Sequence, residues 1–354
     1  MKLPALTFAM VLSVGVATPQ PRGGILTVEL VNGTTGGPGS GEKVTLYRLA
    51  GEMTPVQELG AVSGRFEITD IELEGQRPML LQVTSSGVNY NQPIDFGRGY
   101  EARAEITVYD TFHEWDDNVL EITTSRFLYR RENDKLLVDK VFVIENRSSP
   151  PRTYHNPDGT FRFNLPTNDL LSLHSVSASG ASGMPVPQPA SPIATGPGYV
   201  TKTAFKPGET QMAISYEVSY SGGRYGVDAQ SFHVLPELLV FLAPPDMNVE
   251  AEGWEILGVE PQGRFFAIRK SDVAAGDPIR FELSGGSSVA EDLVPSGSGS
   301  GEGAAPPAAT TGGTVTRLTD PTLASKWAVV ILMAAALGYG LLAALYPSST
   351  RRAH

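Results

Sequence analysis

Gln211-Met212-Ala213-Ile214-Ser215-Tyr216-Glu217-Val218-Ser219-Tyr220 decides the fold of this chain. Its large apolar residues fall at every second position: Met212, Ile214, Tyr216, Val218 and Tyr220. A period of two marks a strand with one face in a core and the other toward solvent. Pro207-Gly208-Glu209-Thr210 turns into this strand and Gly222-Gly223 closes it.

The same pattern recurs on both sides. Leu136, Val138, Val141, Val143 and Ile144 predict a long strand ending at Asn146, broken by Pro150-Pro151. Asn156-Pro157-Asp158-Gly159 is a type I turn tetrad, and Phe161, Phe163 and Leu165 alternate after it. Leu235 to Leu242 is a nearly continuous apolar run, expected to be a strand buried on both faces. Phe265 to Ile268 and Ile279 to Leu283 complete the set. Residues 180–198, rich in Pro, Ala, Ser and Gly, are expected to form a long loop. Residues 111–283 are therefore expected to form a β-rich domain, an Ig-like sandwich.

Residues 22–109 carry a first set of strands. Leu26, Val28 and Leu30 alternate with polar residues, and Asn32 to Gly41 is a glycine-rich turn region. Val44 and Leu46, then Phe66 and Ile68, then Met79, Leu81 and Val83 follow. Val88 to Ile94 and Ala104, Ile106 and Val108 close the set, a sandwich pattern. The order Val28-x-Leu30-Val31-Asn32-Gly33-Thr34-Thr35-Gly36, Val44-Thr45-Leu46, Gly64-Arg65-Phe66 and Leu81-Gln82-Val83 resembles a carboxypeptidase regulatory-like domain. The resemblance departs at Pro78-Met79, where that family usually has Gly-Tyr, and covers about a quarter of the chain. It implies a transthyretin-like (prealbumin-like) β-sandwich and a non-catalytic module that binds or supports folding. The fold class expected is mainly β: two β-sandwich domains and one C-terminal transmembrane helix.

Composition agrees with sandwiches. The 354 residues include 38 Gly and 27 Pro, and the apolar stretches are short. A net charge of −11 repels phosphate backbones, so no nucleic-acid partner is expected. With no cysteine, disulfides, thiolate metal sites and cysteine nucleophiles are excluded.

Both ends read as membrane-directed. Residues 1–17 have Lys2, an apolar run and the small residues Gly15 and Ala17, the pattern of a cleaved signal peptide. Residues 284–326 are dominated by Gly, Ser, Ala, Pro and Thr and are expected to be a flexible stalk. Residues 327–346, WAVVILMAAALGYGLLAALY, hold no charge and are expected to span the bilayer. Trp327 and Tyr346 sit where interfacial aromatics belong. Ala334/Gly338 and Ala336/Gly340 give a small-xxx-small spacing suited to helix-mediated self-association. Residues 347–354 would then be a cytoplasmic tail. The expected location is the cell membrane, single-pass, with the N-terminal domains periplasmic or on the cell surface.

Few residues invite chemistry. His113-Glu114-Trp115-Asp116-Asp117 brings an imidazole and carboxylates together, but its spacing fits no EF-hand or zinc motif. It is read as an acidic interdomain linker with Trp115 packed down. His155, beside Asp158, and His174 and His233, inside strand-like runs, are read as structural. Tyr90, Tyr100, Tyr109, Tyr129, Tyr216, Tyr220 and Tyr225 could form an aromatic platform for sugars or peptides, or simply pack in strands and corners. Asn32-Gly33-Thr34 and Asn146-Arg147-Ser148 match the glycosylation sequon. No Gly-x-Ser-x-Gly lies in a strand-turn-helix context. No residue is assigned a catalytic, cofactor-binding or metal-ligating role. The function expected is non-catalytic binding of a protein or carbohydrate at the cell envelope; the alternative is an accessory or assembly subunit of a membrane complex.

Overall fold

The computed structural model describes residues 23–287, apart from 51, 74–77, 167, 181, 182, 184 and 194–197. The expected signal peptide, nearly all of the stalk, the membrane segment 327–346 and the tail lie outside the described residues. Among the described residues no helix is long and apolar enough to cross a membrane. The described part is mainly β, in several sheets.

The first strands are β1 (Gly24–Asn32), β2 (Ser40–Gly41), β3 (Lys43–Ala50), β4 (Glu52–Leu59) and β5 (Val62–Ser63). They continue with β6 (Arg65–Ile71), β7 (Pro78–Ser85), β8 (Val88–Asp95) and β9 (Glu101–Val108). A three-stranded sheet, β6-β1-β9, and a four-stranded sheet, β4-β3-β7-β8, enclose one core. Leu26, Val28, Leu30, Val44, Leu46, Ile68, Met79, Leu81, Val83 and Ile106 are buried there, on the period read from sequence. Gly64, at φ 60°, opens β6 ahead of the half-buried Phe66. β4, absent from the sequence reading, is polar and contains Pro55. It lies at a sheet edge, where an N–H that points away from the sheet has no ladder bond to lose, so proline is tolerated. β1 pairs antiparallel with β6 and parallel with β9.

The second set begins with β10 (Thr111–Phe112), β11 (Leu120–Glu132), β12 (Lys135–Asn146), β13 (Thr153–Tyr154), β14 (Phe161–Phe163) and β15 (Leu170–Gly180). Next come β16 (Val186–Pro187), β17 (Ala190–Pro192), β18 (Tyr199–Thr201), β19 (Gly208–Ser219) and β20 (Arg224–Gln230). The last are β21 (Leu235–Ala243), β22 (Met247–Glu250), β23 (Glu255–Val259), β24 (Phe266–Val273) and β25 (Pro278–Gly285). β10 and β13 form a small parallel pair.

One eight-stranded sheet, β16-β15-β19-β12-β11-β21-β24-β23, forms the base of the second core. Two separate three-stranded sheets, β14-β18-β17 and β20-β25-β22, supply the opposing layer. Phe161 of the first meets Phe142, ring centres 5.2 Å apart, and Phe281 of the second meets Tyr129 at 5.6 Å. This differs from the two-sheet layout expected of an Ig-like sandwich. The reason is length: β11, with 13 residues, and β12 and β19, with 12 each, run for about 40 Å, too far for one short-stranded sheet to cover.

Register explains two further differences. β12 pairs with β19 without a shift, so its inward row is Leu136, Val138, Lys140, Phe142, Ile144 and Asn146. Val141 and Val143, which help to mark this strand in the sequence, face outward and are half-buried, and a lysine takes the inward place between Val138 and Phe142. β21 is not buried on both faces: Leu238, Val240 and Leu242 are fully buried, Leu239 and Phe241 only partly. Within 180–198, the expected loop contains the short strands β16 and β17, which pair with β15 and β18.

The two cores meet through a polar seam. Tyr90 and Thr153 share a hydrogen bond of 2.9 Å, and Lys206 Nζ donates to Asn89 O at 2.8 Å while lying 4.6 Å from the centre of the Tyr90 ring. Thr34 Oγ1 donates to Pro151 O at 2.6 Å and accepts from Asp110 N at 3.0 Å.

Candidate functional site

An aromatic platform does not form. Tyr90, Tyr129, Tyr216, Tyr220 and Tyr225 are buried in the cores, and Tyr109 packs against the first core. Tyr100 is the exposed one of the seven, at 49%. Burial pushes the Tyr129 and Tyr216 phenols well above their usual value. The reason lies in the β19 alternation: Tyr216 and Tyr220 occupy the inward row with Met212, Ile214 and Val218, so their rings fill the core.

The acidic linker is self-contained. Asp116 Oδ1 accepts from Asn118 N and Nδ2, both at 2.9 Å, and Asp117 accepts from Trp115 Nε1 at 2.8 Å. The Trp115 ring lies against Tyr154, Phe205 and His233. Among the described residues no group of three or more His, Cys, Asp or Glu side chains is placed to hold a metal ion.

The histidines go to three different places. His155 sits at the seam, facing Gly87, and its carbonyl contacts His113 Nδ1. Burial, then His113 and Lys202, lowers its pKa. His233 is buried between Trp115 and Phe161, with Nε2 3.1 Å from Arg162 O, and burial pulls its pKa down to about 4. His174 lies on the outer face of the eight-stranded sheet, where the pairing of β15 with β19 slips between Leu173 and Ser175. There Ser172 Oγ is 3.4 Å from His174 Nδ1, and His174 Nε2 is 3.3 Å from Glu217. That order of hydroxyl, imidazole and carboxylate does not assemble a hydrolase site. Lys135 draws on the same carboxylate at 3.2 Å, and the groove beside His174 is lined by Ser175, Ser177 and Gln188 but not by Ser172.

Of the two sequons, Asn146 is buried and its Nδ2 is committed to Arg152 O at 2.7 Å and Phe205 O at 2.9 Å. Asn32 caps its own turn, accepting from Thr34 N and Thr35 N, and donates to Asp110.

The feature that sequence reading missed is β23. It is an edge strand of the eight-stranded sheet and pairs, among the described residues, with β24 alone. Ile256, Leu257 and Val259 are 55%, 43% and 55% exposed. They are successive large apolar side chains on both faces of an unpaired edge, the arrangement that soluble sheets normally avoid. Acidic residues lead into and out of it: Glu250, Glu252, Glu255 and Glu260. Glu255 is bound by Arg269 and Glu260 by Arg264, leaving Glu250 and Glu252 outside these pairs. The sequence signal was present in Glu255-Ile256-Leu257-Gly258-Val259, but five residues interrupted by glycine carry too little periodicity to identify a strand.

Compared with known proteins, the chain matches no family model and no curated sequence.

Proposed function

We propose that this chain is a non-catalytic docking subunit. In this reading, tandem β domains, the first of the carboxypeptidase regulatory-like (transthyretin-like) type, are held at the cell membrane by residues 327–346. They stand on the extracytoplasmic side and engage a membrane complex. The open edge β23 carries the proposal, because it offers unpaired backbone groups beside three exposed apolar side chains. Its occupant is an extended segment of a partner protein that adds a strand to the sheet. Glu250 and Glu252, ahead of β23 and outside its ion pairs, give that segment its chemistry: apolar residues along the strand and a Lys or Arg at the end beside them. A glycan-binding role has less support, since the tyrosines that would stack on sugars are in the cores.

The test compares the full chain, purified from membranes in mild detergent, with the Leu257→Lys and Val259→Lys variants. Mass spectrometry and light scattering then read composition and mass. A membrane protein at fixed stoichiometry with the parent chain, lost from both variants, supports the proposal. A parent chain that is itself dimeric, with monomeric variants, makes the occupant a second copy and overturns it. A partner retained by both variants also overturns it.

A further inference from the structure

The eight-stranded sheet is covered by two small sheets that do not join, and the line between them is closed by polar contacts. Asn164 Nδ2 donates to Gln230 O at 2.6 Å, and His233 Nε2 lies 3.1 Å from Arg162 O. Beneath this line is a cavity of about 30 Å³, room for one water-sized molecule. Its wall includes Phe127, Phe142, Phe163 and Ile279, and Lys140 projects into it from β12.

Lys140 is an unusual core residue. It is 7% exposed and donates one hydrogen bond, to Asn164 O at 3.1 Å, although an ammonium has three N–H groups. Its Nζ lies 4.9 Å from the centre of the Phe127 ring and 5.2 Å from that of Tyr216. Among the described residues no Asp or Glu lines the cavity; the other ionisable groups there are Tyr129, Arg162 and His233. A buried ammonium normally has a carboxylate, because removing a lone charge from water is costly. Here the environment favours the neutral amine instead, and burial lowers the Lys140 pKa to about 7. A neutral, desolvated amine is the form of lysine that attacks carbonyl groups.

From the single hydrogen bond, the carboxylate-free wall and the small adjoining space, we infer that Lys140 is a site of imine formation with small aldehydes. The amine lone pair adds to the carbonyl carbon, and the resulting carbinolamine loses water. The balance is Lys–NH₂ + R–CHO → Lys–N=CH–R + H₂O. The imine carbon alone takes up a water-sized space, so the volume restricts R to hydrogen, unless the group extends out past the half-buried Val227, Ala229 and Phe232. This site is on the inner face of the sheet and does not depend on docking at β23.

The test uses formaldehyde and cyanoborohydride on the full chain at pH 7, with peptide mapping of each lysine over time. At that pH about half of a pKa 7 amine is neutral, against about one in three thousand of an ordinary lysine. Lys140 is expected to be labelled at least severalfold faster than Lys202 and Lys270, and that preference should vanish in urea. Labelling of Lys140 no faster than Lys202 and Lys270, or none at all while they react, overturns the inference. In Lys140→Met the fast label on the peptide that carries position 140 should disappear, while Lys206, whose pKa burial lowers to about 8, keeps its own rate; a fast label that persists on that peptide overturns the assignment.

Discussion

The hydroxyl of Tyr90, from the first core, lies 2.9 Å from the hydroxyl of Thr153, from the second, and Thr153 is fully buried. The same Tyr90 oxygen accepts from Tyr109 N at 3.3 Å. Tyr90→Phe keeps the ring and removes the oxygen, leaving a buried hydroxyl without this partner. The expected loss is about 1–2 kcal/mol, measured by urea unfolding. A single unfolding transition that moves as a whole would show that the two cores unfold together; a change confined to one of two transitions would show that they do not.

Lys140 makes stability depend on alkaline pH. Its folded pKa of about 7 is below that of the unfolded lysine, 10.5. Between those values the unfolded state binds more protons, so stability rises with pH. Below pH 7 the slope vanishes. Relative to Lys140→Met, the parent chain should gain roughly 1.4 kcal/mol per pH unit from 7 to 9.5, read as paired urea midpoints. Above about pH 10 the buried Tyr129 and Tyr216 work the other way, since unfolding then lets their phenols ionise. A parallel pair of curves from pH 7 to 9.5 would rule out a lowered Lys140 pKa.

His233 acts on the acid side. Its folded pKa of about 4 is below the unfolded value of 6.5, so the unfolded chain takes up the proton first. This contribution is complete above pH 6.5 and is lost as pH falls toward 4. His233→Gln should be less stable than the parent at pH 7, because it gives up the stacking on Phe161. The gap should narrow by roughly 1.4 kcal/mol per unit below pH 6.5, as thermal unfolding at pH 7, 5.5 and 4.5 would show.

β23 should contribute little to the fold. Leu257 is 43% exposed, and Leu257→Lys is expected to change stability by less than about 0.5 kcal/mol. A loss above about 2 kcal/mol in denaturant titration would mean that Leu257 is packed in solution, against this chain or another.

The alternating strands were legible because each inward residue is apolar, as in Leu26-x-Val28-x-Leu30 and Met212 to Tyr220. The inward row of β12 was not legible in this way: Val141 and Val143 are as hydrophobic as their inward neighbours, while Lys140 looks like a surface residue. Pairing register, which depends on β11 and β19, settles that ambiguity. The division of the covering layer into two sheets was not legible, since β14, β17 and β18 have only three residues each. The tyrosines were visible but not their direction, and β23 was too short to stand out.

The parallel pairing of β1 with β9 has a mechanical consequence. The chain enters this sheet at Gly24 and leaves it at Val108, and the ladder runs from Ile25 opposite Glu101 to Asn32 opposite Val108. Because the strands point the same way, entry and exit lie at opposite ends of the ladder. Tension between those points loads the rungs in shear, all together, instead of unzipping them one after another. A pull applied ahead of Gly24 and resisted beyond Val108 would meet this clamp before the first core gave way, whereas a pull between β23 and residues 327–346 would bypass it.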